Sequence, residues 1–368
     1  MPEPANWCLI FSDGTGQRGV RNDDTVRNTN IFQMFAAAEG KIYLDAFYDP
    51  GLGAPAEGEN DWGRTARNLW SKATGWGITA NITDCYEALL VRWKPGMKIG
   101  LFGFSRGAYT VRCLGGVLAT CGIATRDGSG PISADKDGLK AKSRRKIADE
   151  AVAAYKIRNK PERKAAGAAF AQKHHAAQVV PDVVGVFDTV KALGLPGVIN
   201  AVNPWRHEFH DTELSLRVPV GLHALSIDEN RKEFLPVLWD DVDAEGRAAG
   251  QVIEQVWFPG VHSDVGGGYD DDWRLADLSL NWMLSRLRDI AHLHIPLTVT
   301  ISDNNVLGTA HDERTGFGKL WLPAERTVRG EAADLDPLCV KIEDRFTHHQ
   351  LRYRPKPLGA HPRVKHFF

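Results

Sequence analysis

The stretch Lys98–Leu118, KIGLFGFSRGAYTVRCLGGVL, leaves this chain few choices of fold. Ile99–Phe102 is an apolar run too short for a helix and bounded by a glycine turn, so it reads as a buried strand. Gly103-Phe104-Ser105-Arg106-Gly107 follows with G-x-S-x-G spacing. From Ala108 the apolar residues Tyr109, Val111, Leu114, Val117 and Leu118 recur at helical spacing. Strand, tight turn around a serine, then helix is the setting of a nucleophile elbow. Glycine suits both flanks, because a Cβ there would crowd the neighbouring strand and helix. The helix begins just after the serine, so its unpaired N–H groups and positive dipole end face any oxyanion formed there.

The rest of the chain alternates strands with helices, which predicts an α/β fold with a mostly parallel central sheet flanked by helices. Trp7–Phe11 is a strand running into Ser12-Asp13-Gly14-Thr15-Gly16, and Asp23–Ala38 a helix capped by Thr25 or Asn28. Strand Ile42–Tyr48 and helix Ile78–Trp93 precede the elbow. Beyond it come strands Val179–Val186, Val218–Ile227 and Ile253–Phe258, then helix Leu275–Leu287. Residues 127–178, rich in Ala, Lys and Arg, break this rhythm as two helices interrupted near Pro161. They read as a helical insertion in a single domain spanning 1–368. A solvated excursion is the preferred account, and a cap or lid with a basic face toward anionic lipid the alternative. From Pro296 the chain has few regular signals and is expected to wrap the domain.

Bulk properties remove several classes of function. A formal net charge of −1 gives no basic excess for neutralising phosphates, so no nucleic acid is expected as a partner. Five scattered cysteines without C-x-x-C suggest reduced thiols in a cytoplasmic product. MPEPANW lacks the pattern of a signal peptide and no run approaches membrane-spanning length, so action outside the cytoplasm would need a leaderless route.

A serine hydroxyl needs a base, and the base an acid that fixes its tautomer. In sheets of this kind the order is serine, acid, histidine, each at the carboxyl end of a strand. Of thirteen histidines, His262 fits best, following a strand in the glycine-rich turn PGVHSDVGGGY. Asp188 and Asp228 both end apolar strands ahead of it; Asp188 is preferred because its strand is more uniformly apolar, with Asp228 the alternative acid. For the oxyanion hole, the N–H of Arg106 is one donor and that of Gly14 or Thr15 the second. Asp13 is expected to brace its loop by accepting backbone hydrogen bonds.

At these residues the chain resembles the family catalogued as domain of unknown function 2235, an α/β-hydrolase group. That group includes the catalytic domain of the first family of type VI secretion lipase effectors. The matching segments are FSDGTGQ (Phe11–Gln17), TNI (Thr29–Ile31), GFSRGAYTVRCLGG (Gly103–Gly116), GVFDTV (Gly185–Val190), HALSIDENR (His223–Arg231), WFPGVHSDVGGGY (Trp257–Tyr269) and LADLSLNWM (Leu275–Met283). The resemblance implies Ser105 as nucleophile, Asp188 as acid and His262 as base. It also implies carboxylic-ester hydrolysis, with phospholipids as substrates of the secreted members. Expected partners are therefore an ester or phospholipid, a membrane surface in passing, and a secretion-system or immunity protein; no cofactor is expected. Two readings compete: a metal-dependent hydrolase using Asp13, Asp264 and Asp270–Asp272, and a hydrolase-like module without catalysis.

Overall fold

A computed structural model describes residues 6–14, 17, 19–21, 27–51, 75–134, 138–190, 214–215, 217–242, 244–315, 318–319, 321–329 and 337–368. Thr15 and the cap candidate Thr25 lie outside these residues. The strands are β1 (Trp7–Ser12), β2 (Leu44–Asp49), β3 (Lys98–Phe104), a short hairpin β4 (Arg126–Asp127) and β5 (Gly130–Pro131), then β6 (Val183–Phe187), β7 (Val220–Ser226) and β8 (Val252–Phe258). The helices are α1 (Asn30–Ala38), α2 (Gly75–Arg92), α3 (Arg106–Cys121), α4 (Gly138–Tyr155), α5 (Lys160–His174), α6 (Ala244–Ala248), α7 (His262–Gly266), α8 (Arg274–Arg286) and α9 (Ile342–Thr347).

Six strands form one sheet in the order β2-β1-β3-β6-β7-β8, and every neighbouring pair is parallel. This is an α/β-hydrolase-like fold. Its central strands are apolar throughout because both faces are covered. Trp7, Leu9 and Phe11 of β1, Phe102 and Phe104 of β3, and Val183 and Phe187 of β6 pack on one face with α1, α8 and the tail. Cys8 and Ile10, Ile99 and Leu101, and Val184 and Val186 point to the other face, against α2, α3 and α4. Phe11 stacks on Phe102 across the β1–β3 pair, with ring centroids 5.1 Å apart.

Several boundaries differ from the sequence reading, each for a local reason. Helix α1 starts at Asn30 because the Thr29 side chain accepts the Phe32 N–H, so Asn28 is not its cap. Strand β2 starts at Leu44, leaving Ile42 exposed ahead of it. Two helices separated just ahead of Pro161 are as expected; the proline sits in the first turn of α5, where its missing N–H is harmless. In α4 and α5, Ile147, Ala148, Ala151, Val152, Tyr155 and Phe170 are buried in the core shared with α2 and α3. Lys142, Lys146, Lys160, Lys164 and Lys173 are exposed. The tail contributes Leu338, Ile342, Phe346, Leu358 and Val364 to the opposite core.

Candidate active site

In a parallel sheet all the loops at one edge follow strand ends, which is where ligand contacts collect. Ser105 follows β3, Asp188 follows β6 and His262 lies four residues after β8, so the topology brings these three to the same edge. Phe104 pairs with Phe187 in register, and the Ser105 N–H donates to the Phe187 carbonyl at 3.1 Å. Ser105 and Asp188 are thus neighbours across one strand pair. The Phe104 ring lies 4.6 Å from the His262 ring, centroid to centroid, tying the histidine to the residue beside the serine.

Ser105 has φ 58° and ψ −121°, a conformation that non-glycine residues rarely adopt. It persists because the chain is pinned on both sides. A Cβ on Gly107 would sit 2.1 Å from the Ser12 carbonyl oxygen, and one on Gly103 would sit 2.5 Å from the Gly107 oxygen. These contacts explain why the turn needs both glycines. As the first residue of α3, Arg106 has a backbone N–H without an intrahelical acceptor. Burial lowers the pKa of its side chain to about 10.

Asp188 is fully buried, also at positive φ (39°), and accepts an unusual number of hydrogen bonds. His262 Nδ1 lies 2.6 Å from its Oδ2. The Ser226 N–H donates at 3.0 Å, and both terminal nitrogens of Arg326 donate, at 2.6 and 2.8 Å. Burial pushes the Asp188 carboxyl up, but the Arg326 guanidinium and the His262 ring outweigh it and hold the carboxyl far below the usual range. A carboxylate can only accept, so His262 Nδ1 carries the hydrogen and Nε2 is the basic nitrogen. Nε2 is buried and has no hydrogen-bond partner among the described residues, while the Phe234 ring stands at its side, 5.1 Å between centroids.

Asp228, the alternative acid, does not reach His262 through any hydrogen bond. Its carboxylate accepts the Gly260 N–H at 2.6 Å and the Tyr353 hydroxyl at 2.9 Å, and its own N–H returns to the Gly260 carbonyl. It therefore anchors the turn that presents the histidine. Burial raises its pKa to about 6. Gly260, at φ +101°, leaves room for Asp264, whose Cβ would otherwise be 2.3 Å away. Glu229 accepts the His262 N–H at 3.3 Å and is itself forked to Arg231.

Gly14 differs from its expected role. Its N–H donates to Asp13 Oδ1 at 2.8 Å and so is not free for an oxyanion. Asp13 also accepts from the Thr29 and Tyr48 hydroxyls at 2.6 and 2.8 Å, which braces the loop, and burial raises its pKa to about 6. The carboxylates of the metal reading are engaged elsewhere. Asp264 accepts from His311 Nδ1 at 2.5 Å and Asp270 from the Arg27 N–H at 2.6 Å; Asp271 faces His311 Nε2, and Asp272 is forked to Arg274. Among the described residues, no three His, Cys, Asp or Glu side chains are grouped to hold a metal ion.

The family model described as "T6SS, Phospholipase effector Tle1-like, catalytic domain" matches residues 8–286. The chain belongs to this family. Ser105, Asp188 and His262 all fall inside the matched span, whereas His311 and Arg326 lie beyond it. Among solved structures, the Tle1 effector bound to the VgrG spike of the type 6 secretion system is 16% identical, with a TM-score of 0.35. The match covers 72% of this chain and 51% of that one. An esterase from Thermogutta terrifontis, solved with butyrate bound, is 14% identical at a TM-score of 0.37, covering 81% of this chain and 88% of that one. An uncharacterized protein of Saccharomyces cerevisiae is 27% identical over 106 residues, 27% of this chain and 16% of that protein. The chain thus spans about half of the effector and a sixth of the yeast protein.

Arg326 has no counterpart in the sequence reading. It lies 138 residues beyond Asp188 in a segment without periodicity, and no local pattern marks it. His311 escaped for the same reason.

Proposed function

We propose that this chain is a serine carboxylic-ester hydrolase of the lipase and phospholipase kind, with Ser105 as nucleophile, His262 as general base and Asp188 as the acid that orients it. The observation that carries this reading is the 2.6 Å contact between Asp188 and His262 Nδ1, beside a serine in a strained strand–helix turn. His262 Nε2 takes the Ser105 proton as Oγ attacks the ester carbonyl carbon. The Arg106 N–H, at the positive end of α3, stabilises the resulting oxyanion. Nε2 then hands its proton to the departing alcohol, leaving an acyl-enzyme that water cleaves by the same route. Throughout, the Asp188 carboxylate steadies the imidazolium.

Family membership supports a phospholipid as the ester and export by a type VI secretion system, with a spike component and an immunity protein as partners. No helix among the described residues is long and apolar enough to cross a membrane. In this reading the exposed lysines of α4 and α5 meet anionic head groups in passing. In the same reading the protein is made in the cytoplasm and carried out by the secretion apparatus. The test is hydrolysis of p-nitrophenyl esters and of a phospholipid panel by wild type and Ser105→Ala, with products identified by mass spectrometry. Loss of about 10⁴-fold or more in kcat is expected for the alanine variant. Undiminished hydrolysis would refute the assignment.

A further inference from the structure

We infer that Arg326 is a positioning residue of the active site, so that the tail beyond the family match completes the catalytic machinery. This rests on the assignment of Asp188 and His262 above. Arg326 meets both carboxylate oxygens of Asp188 with separate nitrogens, at 2.6 and 2.8 Å, and both side chains are entirely shielded from solvent. Such a fork fixes the plane of the carboxylate, and with it the direction in which Oδ2 receives His262 Nδ1. The guanidinium also donates to the carbonyls of Ser226 at 3.1 Å and Phe234 at 2.7 Å. It therefore couples the acid to the end of β7 and to the turn whose phenyl ring stands against His262. The tail segment is held in place by the Lys232 N–H on the Leu322 carbonyl, the Ala324 N–H on the Asn230 carbonyl, and burial of Val328.

The charge has a consequence of its own. Around His262 stand Asp188 and Arg326 at the Nδ1 side and Glu229 at the backbone N–H. Arg231 lies over the Phe234 ring, and Asp264 is on the histidine's own helix. Arg326 is the cation bonded to the same carboxylate oxygen as the imidazole, and it opposes a positive charge on that ring.

The experiment measures kcat and KM on a soluble p-nitrophenyl ester, with thermal unfolding, for wild type, Ser105→Ala, Arg326→Gln and Arg326→Lys. For Arg326→Gln we expect kcat to fall about 10²-fold with KM nearly unchanged. Arg326→Lys keeps the charge but loses the fork, so kcat should fall about 10-fold, a partial rescue relative to the glutamine variant. A folded Arg326→Gln with wild-type kcat would overturn the inference. Should the glutamine variant not fold, Arg326→Lys decides alone: wild-type kcat in it overturns the inference. Wild-type hydrolysis by Ser105→Ala would instead overturn the underlying assignment; an inactive Ser105→Ala beside unaffected Arg326 variants would sink the inference alone.

Discussion

The two halves of the site are built by different physics. The serine half is local and steric. Gly103, Ser105 and Gly107 lie within five consecutive residues, and the turn holds its positive φ because backbone atoms of β1 and α3 leave no room for a Cβ. The half around Asp188 and His262 is electrostatic and long-range. Asp188, Ser226, His262 and Arg326 come from four separate places in the chain, and the buried carboxylate is offset by a cation from the tail. A strained turn can be written into a few neighbouring residues; a buried charge must wait for the whole chain to fold around it.

Four substitutions and titrations probe this contrast. Asp188→Asn strikes the electrostatic half hardest. It removes the anion that steadies His262 and strands the buried guanidinium of Arg326. We expect about a 10⁴-fold loss in kcat and about 3–5 kcal/mol of stability, read by kinetics and chemical denaturation. Gly107→Ala strikes the steric half: a Cβ 2.1 Å from a backbone oxygen has nowhere to go. A loss of about 3 kcal/mol or more is expected by the same denaturation measurement, with the elbow's reactivity lost alongside.

The third test separates buried carboxylates with and without a cation. Asp13 has only neutral donors, and burial raises its pKa from 3.8 to about 6. Its contribution to stability is therefore present below its unfolded value and is lost as pH rises toward and through about 6. Asp188 has the opposite sign: its depressed pKa adds stability above about 4 that is lost as the pH falls further. The transition temperature of Asp13→Asn should fall less than that of wild type between pH 4 and pH 7. Parallel curves would contradict the burial argument. The smallest effect is a control within α3. Gly115→Ala, whose nearest neighbours stand at 3.8 Å or beyond, should be neutral or stabilise the helix by up to about 1 kcal/mol. Destabilisation comparable to that of Gly107→Ala would show that the constraint is not specific to the elbow.

The same contrast explains what could be read from the sequence. The strands of the sheet and the strand–serine–helix junction follow from periodicity and glycine placement over a few residues. The nomination of Asp188 and His262 relied on strand ends, which a parallel sheet gathers at one edge. Gly14 misled because its N–H is claimed by the side chain of the residue before it, a geometric detail that composition does not carry. Thr29 took the capping role expected of Asn28 by a single hydrogen bond. Arg326 was illegible in principle, since its meaning depends on a contact with a residue 138 positions away.

The central claim, that residue 105 carries the reactive hydroxyl in a crevice it shares with His262, meets its most direct test in covalent labelling. Wild type, Ser105→Ala and His262→Ala would be treated with a fluorophosphonate, and the modified peptide located by mass spectrometry. The account predicts a single adduct on Ser105 in wild type, none in Ser105→Ala and greatly slowed labelling in His262→Ala. An adduct on another residue, or labelling of Ser105 at full rate without His262, would contradict it.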